Sequence, residues 1–459
     1  MKSETAIPSV IPGRQLSRRR FLQQATLAGG GLLGFPAILR SASPNSMLQV
    51  ASIGAGNMGG RTMRSIASHS KVKIVALCDV DQRYLDQAAV DFPEASRHRD
   101  WRELLSGQID TFDALSIGVP DHSHAGPAVT ALRARKHVYL QKPMASTIHE
   151  CRVITEESAR AGVVTQLGNQ GRSTIESRMA VALIQGGAVG RIKEVIVWEN
   201  KPLNWWPKNT ALRQPGDPIP EGLDWDLWLG VREVRPYLEL GYHPQTWRAW
   251  FDFGVGEMGD MGVHHLDPTF DALKLTAPLR VRQTTPGSSG PLWGRRRQVE
   301  MIFPGSDVTV EPTVKVTWHD GDIKPDTSRI TLPKSVTEFP ESGTFWIGER
   351  GGIFKNYRGG RPYVLPEEDF PAQKYPRGFK GQDHYHDWVD AVLQGRKSCA
   401  DFSHGGPLTE TVLVGALADR FAGEWLEWDR RALNFRGHRK ATALVRRKYR
   451  EGWQVAGLG

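Results

Sequence analysis

The run Leu48-Gln-Val-Ala-Ser-Ile53 passes directly into Gly54-Ala-Gly56-Asn-Met-Gly59, and the next apolar run, Val72-Lys-Ile-Val-Ala-Leu-Cys78, ends in Asp79. The first run predicts a buried strand, the glycines a tight turn, and the residues through about Ser68 a helix. A GxGxxG alone is weak evidence, but this one follows a strand, opens a helix and is answered by an acid 25 residues after Gly54. Gly54 permits the turn, Gly56 lets backbone approach a pyrophosphate, and Gly59 allows close packing of helix on sheet. The N–H groups of the first turn, at Asn57 and Met58, then face the phosphates. Asp79 is placed to accept from a ribose 2′-hydroxyl and would repel a 2′-phosphate. NAD is therefore expected, with NADP disfavoured.

Strand and helix continue to alternate up to about Gly168. Further strands are predicted at 114–119, 137–140 and 163–167, with helices near 81–91, 124–135 and 147–161. That succession implies a doubly wound parallel sheet. Beyond Gly171 the pattern changes to a helix near 174–186, a strand at 192–198 and a segment rich in tryptophan and proline from 201 to 253. Separated extended runs follow at 279–284, 297–303, 312–318 and 344–349, with closing helices near 382–395 and 407–422. Few helices interrupt the extended runs, so a large open, mainly antiparallel sheet is expected. The domains are read as 1–46, a leader; 47–170, a Rossmann domain; 171–435, an α+β domain for substrate binding and dimerisation; and 436–459, a basic tail that is partly disordered.

The net charge of +9 would suit a nucleic-acid partner if it were concentrated on one surface. It is not. Residues 1–46 carry six Lys/Arg against one acid and 430–459 carry nine against one, which leaves the body mildly acidic. No nucleic-acid motif is present, and no nucleic-acid partner is expected. Cys78, Cys151 and Cys399 form no CxxC or even framework and read as small buried apolar side chains.

The leader carries Ser17-Arg18-Arg19-Arg20-Phe21-Leu22, a mild apolar stretch from Ala25 to Leu39 with four glycines, and the small residues Ser41, Ala42 and Ser43. It resembles a twin-arginine export signal. The apolar stretch is too short and too rich in glycine to anchor the chain in a bilayer. Export to the periplasm through the twin-arginine machinery is therefore expected, with no stable membrane anchor.

Two further stretches carry chemistry. His137-Val-Tyr-Leu-Gln-Lys142-Pro143 sets a lysine at the carboxyl end of a parallel strand, where open α/β sheets bind ligands. Pro143 restricts Lys142 to an extended backbone and aims its side chain across the cleft. Gly256-Glu-Met-Gly-Asp260-Met-Gly-Val-His264-His265-Leu-Asp267 places Asp260 and His264 on one helix face, with Asp267 three residues further on. A polar stripe, a metal site and an acid/base pair all fit that spacing. A 2-His-1-carboxylate site would need His264 and His265 to converge, but neighbours on a helix point about 100° apart, so no metal is expected.

Taken together, Gly54–Gly59, Val119-Pro120-Asp121-His122-Ser-His124, Gln141-Lys142-Pro143, Gly168-Asn169-Gln170-Gly171 and Gly259-Asp260-Met-Gly-Val-His264 resemble the Gfo/Idh/MocA oxidoreductases. The resemblance implies a catalytic set of Lys142, Asp260 and His264, with Gln141 where the common pattern has glutamate. It also implies cofactor contacts from Pro120, His124, Lys142 and Asn169. Trp225-Asp-Leu-Trp-Leu-Gly230 and Tyr242-His243-Pro-Gln-Thr-Trp247-Arg248 fit an exported subgroup. Aromatic faces beside Arg and His donors suit a sugar ring, so Arg172, Tyr242, His243, Trp247, Arg248, Lys142, Asp260 and His264 are the expected substrate contacts. In such a site a histidine near its reference pKa of about 6.5 takes the hydroxyl proton as hydride leaves for the nicotinamide, and lysine stabilises the alkoxide.

The expected function is oxidation of a secondary hydroxyl of a sugar, sugar derivative or polyol by a homo-oligomer. Free NAD is scarce outside the cytoplasm, so export favours a cofactor that stays bound and is regenerated in place. That leaves open a redox-neutral glycosidase or lyase using NAD transiently, and a non-catalytic sugar or NAD binder.

Overall fold

The computed structural model describes residues 47–200, 206–207, 216–357 and 359–459. The leader with its twin-arginine motif, and part of the tryptophan-rich segment, lie outside the described residues.

The first sheet is built from β1 (Leu48–Ile53), β2 (Val72–Cys78), β3 (Ser96–His98), β4 (Ala114–Ile117), β5 (His137–Leu140) and β6 (Thr165–Leu167). All its pairings are parallel and the order is β3-β2-β1-β4-β5-β6. Five helices connect the strands: α1 (Asn57–Ala67), α2 (Gln82–Asp91), α3 (Trp101–Gln108), α4 (Ala125–Arg133) and α5 (Ile148–Ala161). The strand order reverses between β1 and β4, and the loops after these two strands form the crevice in which doubly wound sheets bind ligands. Local sequence explains several boundaries. Asp81 and Asp100 cap α2 and α3, Thr147 and Glu150 form a capping box on α5, and Gly162 ends α5 in the left-handed region at φ 65°.

After α6 (Ile175–Gln185) comes the second sheet, assembled from β7 (Ile192–Glu199), β8 (Arg280–Gln283), β9 (Arg297–Pro304), β10 (Thr313–Asp320), β11 (Ser342–Gly348), β12 (Gly351–Asn356), β13 (Tyr363–Leu365), β14 (Leu426–Asp429) and β15 (Asn434–Phe435). Its order is β13-β12-β11-β7-β10-β9-β8-β14-β15, antiparallel except for the β7–β10 pair. Residues on β9 alternate between buried and half-buried, the pattern of a sheet with one face on the core. The helices α7 (Trp225–Leu229), α8 (Gly256–Leu273), α9 (His384–Gln394) and α10 (Phe402–Leu417) complete the body. α8 packs on α6 and α10 and touches the sheet at β7 and β10, while α10 also packs on α5 of the first domain. One continuous core consequently runs from Leu115 and Leu140 through Val263 and Leu266 to Val316 and Trp346.

The tail departs from expectation. Beyond α11 (Arg439–Ala443) it runs back over both domains: Tyr449 donates its hydroxyl to Glu150 at 2.7 Å, His149 meets the Gly457 carbonyl at 2.9 Å, and Trp453 lies under the Arg102 guanidinium at 3.8 Å. Its positive charge had suggested disorder, yet Tyr449, Trp453 and Leu458 are buried. Apolar residues spaced through a basic segment suffice to dock it.

Candidate active site

A cleft of about 360 Å³ opens at the carboxyl ends of β1 and β4. Its floor is the glycine turn, and its wall includes Asp79, Tyr84, Arg99, Trp101, Pro120 and Ser123. Gly54 sits at φ 97°, and a Cβ there would lie 2.3 Å from the Gly118 carbonyl oxygen; one on Gly59 would lie 2.4 Å from the same oxygen. Strand ends and helix approach one another this closely only through glycine. α1 starts at Asn57 with no side-chain cap, so the N–H groups of its first turn are turned to the cleft, where Asn57, Met58 and Gly59 form the lining. Uncapped N–H groups at a helix N-terminus are suited to a pyrophosphate.

Asp79 lies in the wall of this cleft, with its carboxylate already engaged. It accepts from the backbone N–H groups of Ala55 (2.8 Å), Gly56 (3.3 Å) and Asp81 (2.9 Å), and so ties the glycine turn to the end of β2. Burial pushes its carboxyl up to about 6, against the pull of those donors.

The opposite wall comes from the tryptophan-rich segment: Leu227, Trp228, His243, Trp247 and Arg248. This segment clips onto the first domain through Gln82 N–H to the Gly222 carbonyl, Asp224 N–H to the Val80 carbonyl, and His243 to Asp81 at 3.3 Å. Although burial opposes it, Arg83 and His243 hold the Asp81 carboxyl below its usual range. Underneath, Trp225 stacks on Trp228 at 4.7 Å and Tyr242 packs on Trp250 at 4.6 Å.

Lys142 and Asp260, 118 residues apart, meet behind Arg248 of the cleft wall. The ammonium donates to Asp260 Oδ1 at 2.7 Å and to the Asp260 carbonyl at 3.1 Å, with both side chains largely withdrawn from water. Arg248 lines the cleft, donates to the same Oδ1 at 3.2 Å, and stacks on Trp247 at 4.4 Å. His264 follows one helical turn after Asp260, its ring 6.0 Å from that of Tyr357. Glycine and methionine in α8 serve packing: Gly262 faces Val412, and a Cβ on Gly415 of α10 would fall 2.3 Å from the end of Met258. Small residues on both helices let α8 sit close enough to α10 to deliver Asp260 to Lys142.

Several expected contacts lie elsewhere. His124, expected at the cofactor, is fully buried between the carbonyls of Pro143 and Val119, both at 2.9 Å, and links the lysine turn to the loop after β4. Asn169, also expected there, is buried and donates to Asp267 at 3.0 Å. Arg172, expected at the substrate, is occupied by Asp267 at 2.9 Å, Asp271 at 3.1 Å and the Cys399 carbonyl at 2.5 Å. Tyr242 is fully buried in the aromatic cluster and presents no face to a sugar. Each is polar in sequence and was read outward, but His124, Asn169 and Arg172 satisfy partners inside the fold and Tyr242 packs among aromatic rings. Asp267 is the centre of one such network, which includes His404 at 2.5 Å. His265 meets Glu199 at 2.7 Å and lies against the same Tyr357 ring as His264, at 4.5 Å. Among the described residues no three His, Cys, Asp or Glu side chains form a group able to hold a metal ion.

Two site residues escaped the sequence reading. Asp121 is buried, and burial raises its carboxyl well above the usual range, with Arg248, Asp260 and Lys142 as its charged neighbours. Its place in Val119–His124 was the available signal. Gln141 donates to Thr62 at 2.7 Å, and its amide lies against Gly168. The neutral amide is thus used in packing toward α1, while the carboxylate that serves Lys142 comes from Asp260.

Two family models of one oxidoreductase family match end to end: its NAD-binding Rossmann fold over residues 48–169 and its C-terminal alpha/beta domain over 174–311, together more than half of the chain. The chain belongs to the Gfo/Idh/MocA family. Family relatives include a 1-carboxy-3-chloro-3,4-dihydroxycyclohexa-1,5-diene dehydrogenase of Comamonas testosteroni, 30% identical over 32% of this chain and 36% of its own length. An inositol 2-dehydrogenase of Salmonella typhimurium is 30% identical over 31% and 43%. A glycosyl hydrolase family 109 protein of Shewanella pealeana is 25% identical over 39% and 44%. The matched stretch thus spans less than half the length of these relatives. Among solved structures, the WlbA dehydrogenase of Bordetella pertussis in complex with NADH and UDP-GlcNAcA superposes with a TM-score of 0.58 at 15% identity, over 83% of this chain and 99% of that one. A levoglucosan dehydrogenase complex with NADH and levoglucosan superposes with a TM-score of 0.56 at 17% identity, over the same shares. Identities this low establish a shared fold.

Proposed function

We propose that this protein is an NAD-dependent oxidoreductase acting on a secondary hydroxyl of a sugar, sugar derivative or polyol. The meeting of Lys142 with Asp260, joined to the glycine-turn cleft through Arg248, with His264 one turn further along α8, is the observation that carries this reading. Bound NAD would supply the hydride acceptor. His264 takes the hydroxyl proton. Lys142 donates a hydrogen bond to the alkoxide oxygen as charge builds there, more strongly because the pair is withdrawn from water. Asp260 holds the ammonium in place between turnovers, and Arg248 caps that carboxylate from the cleft side. The dehydrogenase names among the relatives support this assignment. Export through the twin-arginine route belongs to the same proposal and rests on Ser17–Leu22 alone.

A second reading, cleavage of a glycoside with no net change in oxidation state, is favoured by the likeness to a glycosyl hydrolase family 109 protein. Incubating the purified protein with a panel of sugars, polyols and aryl glycosides separates the two. A ketosugar product with NADH formation supports the first reading, and release of the aglycone without NADH the second. Lys142→Ala should lower kcat/KM at least 100-fold on whichever substrate turns over. Activity undiminished by Lys142→Ala would remove the catalytic set.

A further inference from the structure

Side chains on β12 alternate between the two faces of the second sheet. Ile353 belongs to the main core beneath the helices, whereas Phe354 belongs to the opposite cluster with Trp198, Phe345 and Leu365. Lys355 shares the face of Ile353, so its chain is directed toward the helix layer, with Glu176 of α6 and Asp267 of α8 as its charged neighbours. Its ammonium lies 5.9 Å from the centre of the Tyr357 ring, and that ring is 6.0 Å from His264 and 4.5 Å from His265.

The Lys355 ammonium makes no hydrogen bond or ion pair with the described residues. Its neighbouring carboxylates, Glu176 and Asp267, act on it only at longer range. Asp267 is committed to Asn169, Arg172 and His404. Burial draws the ammonium's pKa below the usual lysine range, the sign of a charge removed from water without a close counter-ion. An ammonium held so is costly, and a purely structural role would be filled better by an apolar side chain. The other cations near the site differ in this respect: Lys142 and Arg248 share Asp260, and Arg172 is clamped by two carboxylates.

We propose that Lys355 receives a carboxylate of the substrate, so that the hydroxyl oxidised beside His264 belongs to an acidic sugar or polyol of the uronate or aldonate type. The proposal rests on the oxidoreductase reading and adds the substrate's charge to it. A single ammonium is a point charge that matches a monoanion, whereas a phosphate dianion calls for several donors or an arginine fork.

The test is calorimetric titration of the NAD-loaded protein with D-glucuronate, D-glucose and D-glucose 6-phosphate, on wild type, Lys355→Met and Lys355→Arg. Glucuronate should bind wild type at least tenfold more tightly than glucose, the preference should vanish in Lys355→Met, and Lys355→Arg should retain most of it. Equal binding of glucuronate and glucose by wild type, a preference for the phosphate, or a glucuronate preference that survives Lys355→Met would each overturn the assignment. Turnover is scored separately on the same sugars: oxidation of glucose and glucuronate alike, with no binding preference, would overturn the lysine assignment and leave the oxidoreductase reading intact. Tight glucuronate binding with no oxidation of any sugar would do the reverse.

Discussion

Asp267 shows how a residue near a site differs from a residue of the site. Three side chains converge on its buried carboxylate. Burial alone would raise its pKa, but His404 and Arg172 outweigh that and hold it below its ordinary 3.8. A carboxyl depressed in the folded state contributes stability above its unfolded pKa and loses that contribution as pH falls through the folded one. Asp267→Asn should therefore destabilise the protein at neutral pH by about 3 kcal/mol, since Arg172 is left without its buried counter-ion. The gap between variant and wild type in thermal unfolding should narrow steadily below pH 4. Gly54 is the second residue whose identity is dictated locally. Gly54→Ala sets a methyl group against the Gly118 carbonyl at positive φ, and should abolish NAD binding, read by fluorescence titration, even where the fold survives.

At the scale of the element, α8 has two tasks, and its composition reflects both. Glycines and methionines bring it against α10, and the polar face they leave presents Asp260 to Lys142. The tail is an element of a different kind, with little regular structure of its own but several docking points. Tyr449 reaches Glu150, the residue that also completes the capping box of α5. Trp453 is packed between Arg102 and Arg450. Trp453→Ala should cost about 3 kcal/mol in denaturant unfolding, the usual loss for a buried tryptophan. A tail without structural consequence would give no change.

For the whole molecule, the arrangement that matters is the insertion of one domain laid across the cleft of the other. His243 and Asp81 join the two walls at their rim, and Tyr84 lies beside them, its ring 6.0 Å from that of His243. Such a cover retards release of whatever fills the cleft more than it alters entry, because release must await its opening. His243→Ala should raise the NAD dissociation rate about tenfold, measured by stopped-flow displacement, with little change in thermal stability. Wild-type protein purified from its native compartment should then carry nicotinamide absorbance, and His243→Ala should lose it on dilution.

The sequence by itself determined the doubly wound domain, the strand after which the phosphate turn lies, and the lysine, aspartate and histidine of the candidate site. The first two are written in local pattern, a strand of period two, a helix of period 3.6 and glycines where backbone must approach backbone, whereas Lys142, Asp260 and His264 were singled out by the family resemblance of their motifs. It was silent on β3, β12, β13, β14 and β15, of which all but β12 are four residues or fewer, and which borrow their stability from neighbours. Only the tertiary structure decided which polar residues face the cleft and which satisfy one another. His124, Asn169, Arg172 and Tyr242 are as polar in sequence as Asp260, yet they are buried or half-buried among partners 5 to more than 200 residues away or, for Tyr242, among aromatic rings. Asp121, Arg248 and Lys355 acquire their positions in the same way, through contacts between segments that no local spacing encodes. A side chain's direction is a property of packing, and packing is settled only when distant elements come together.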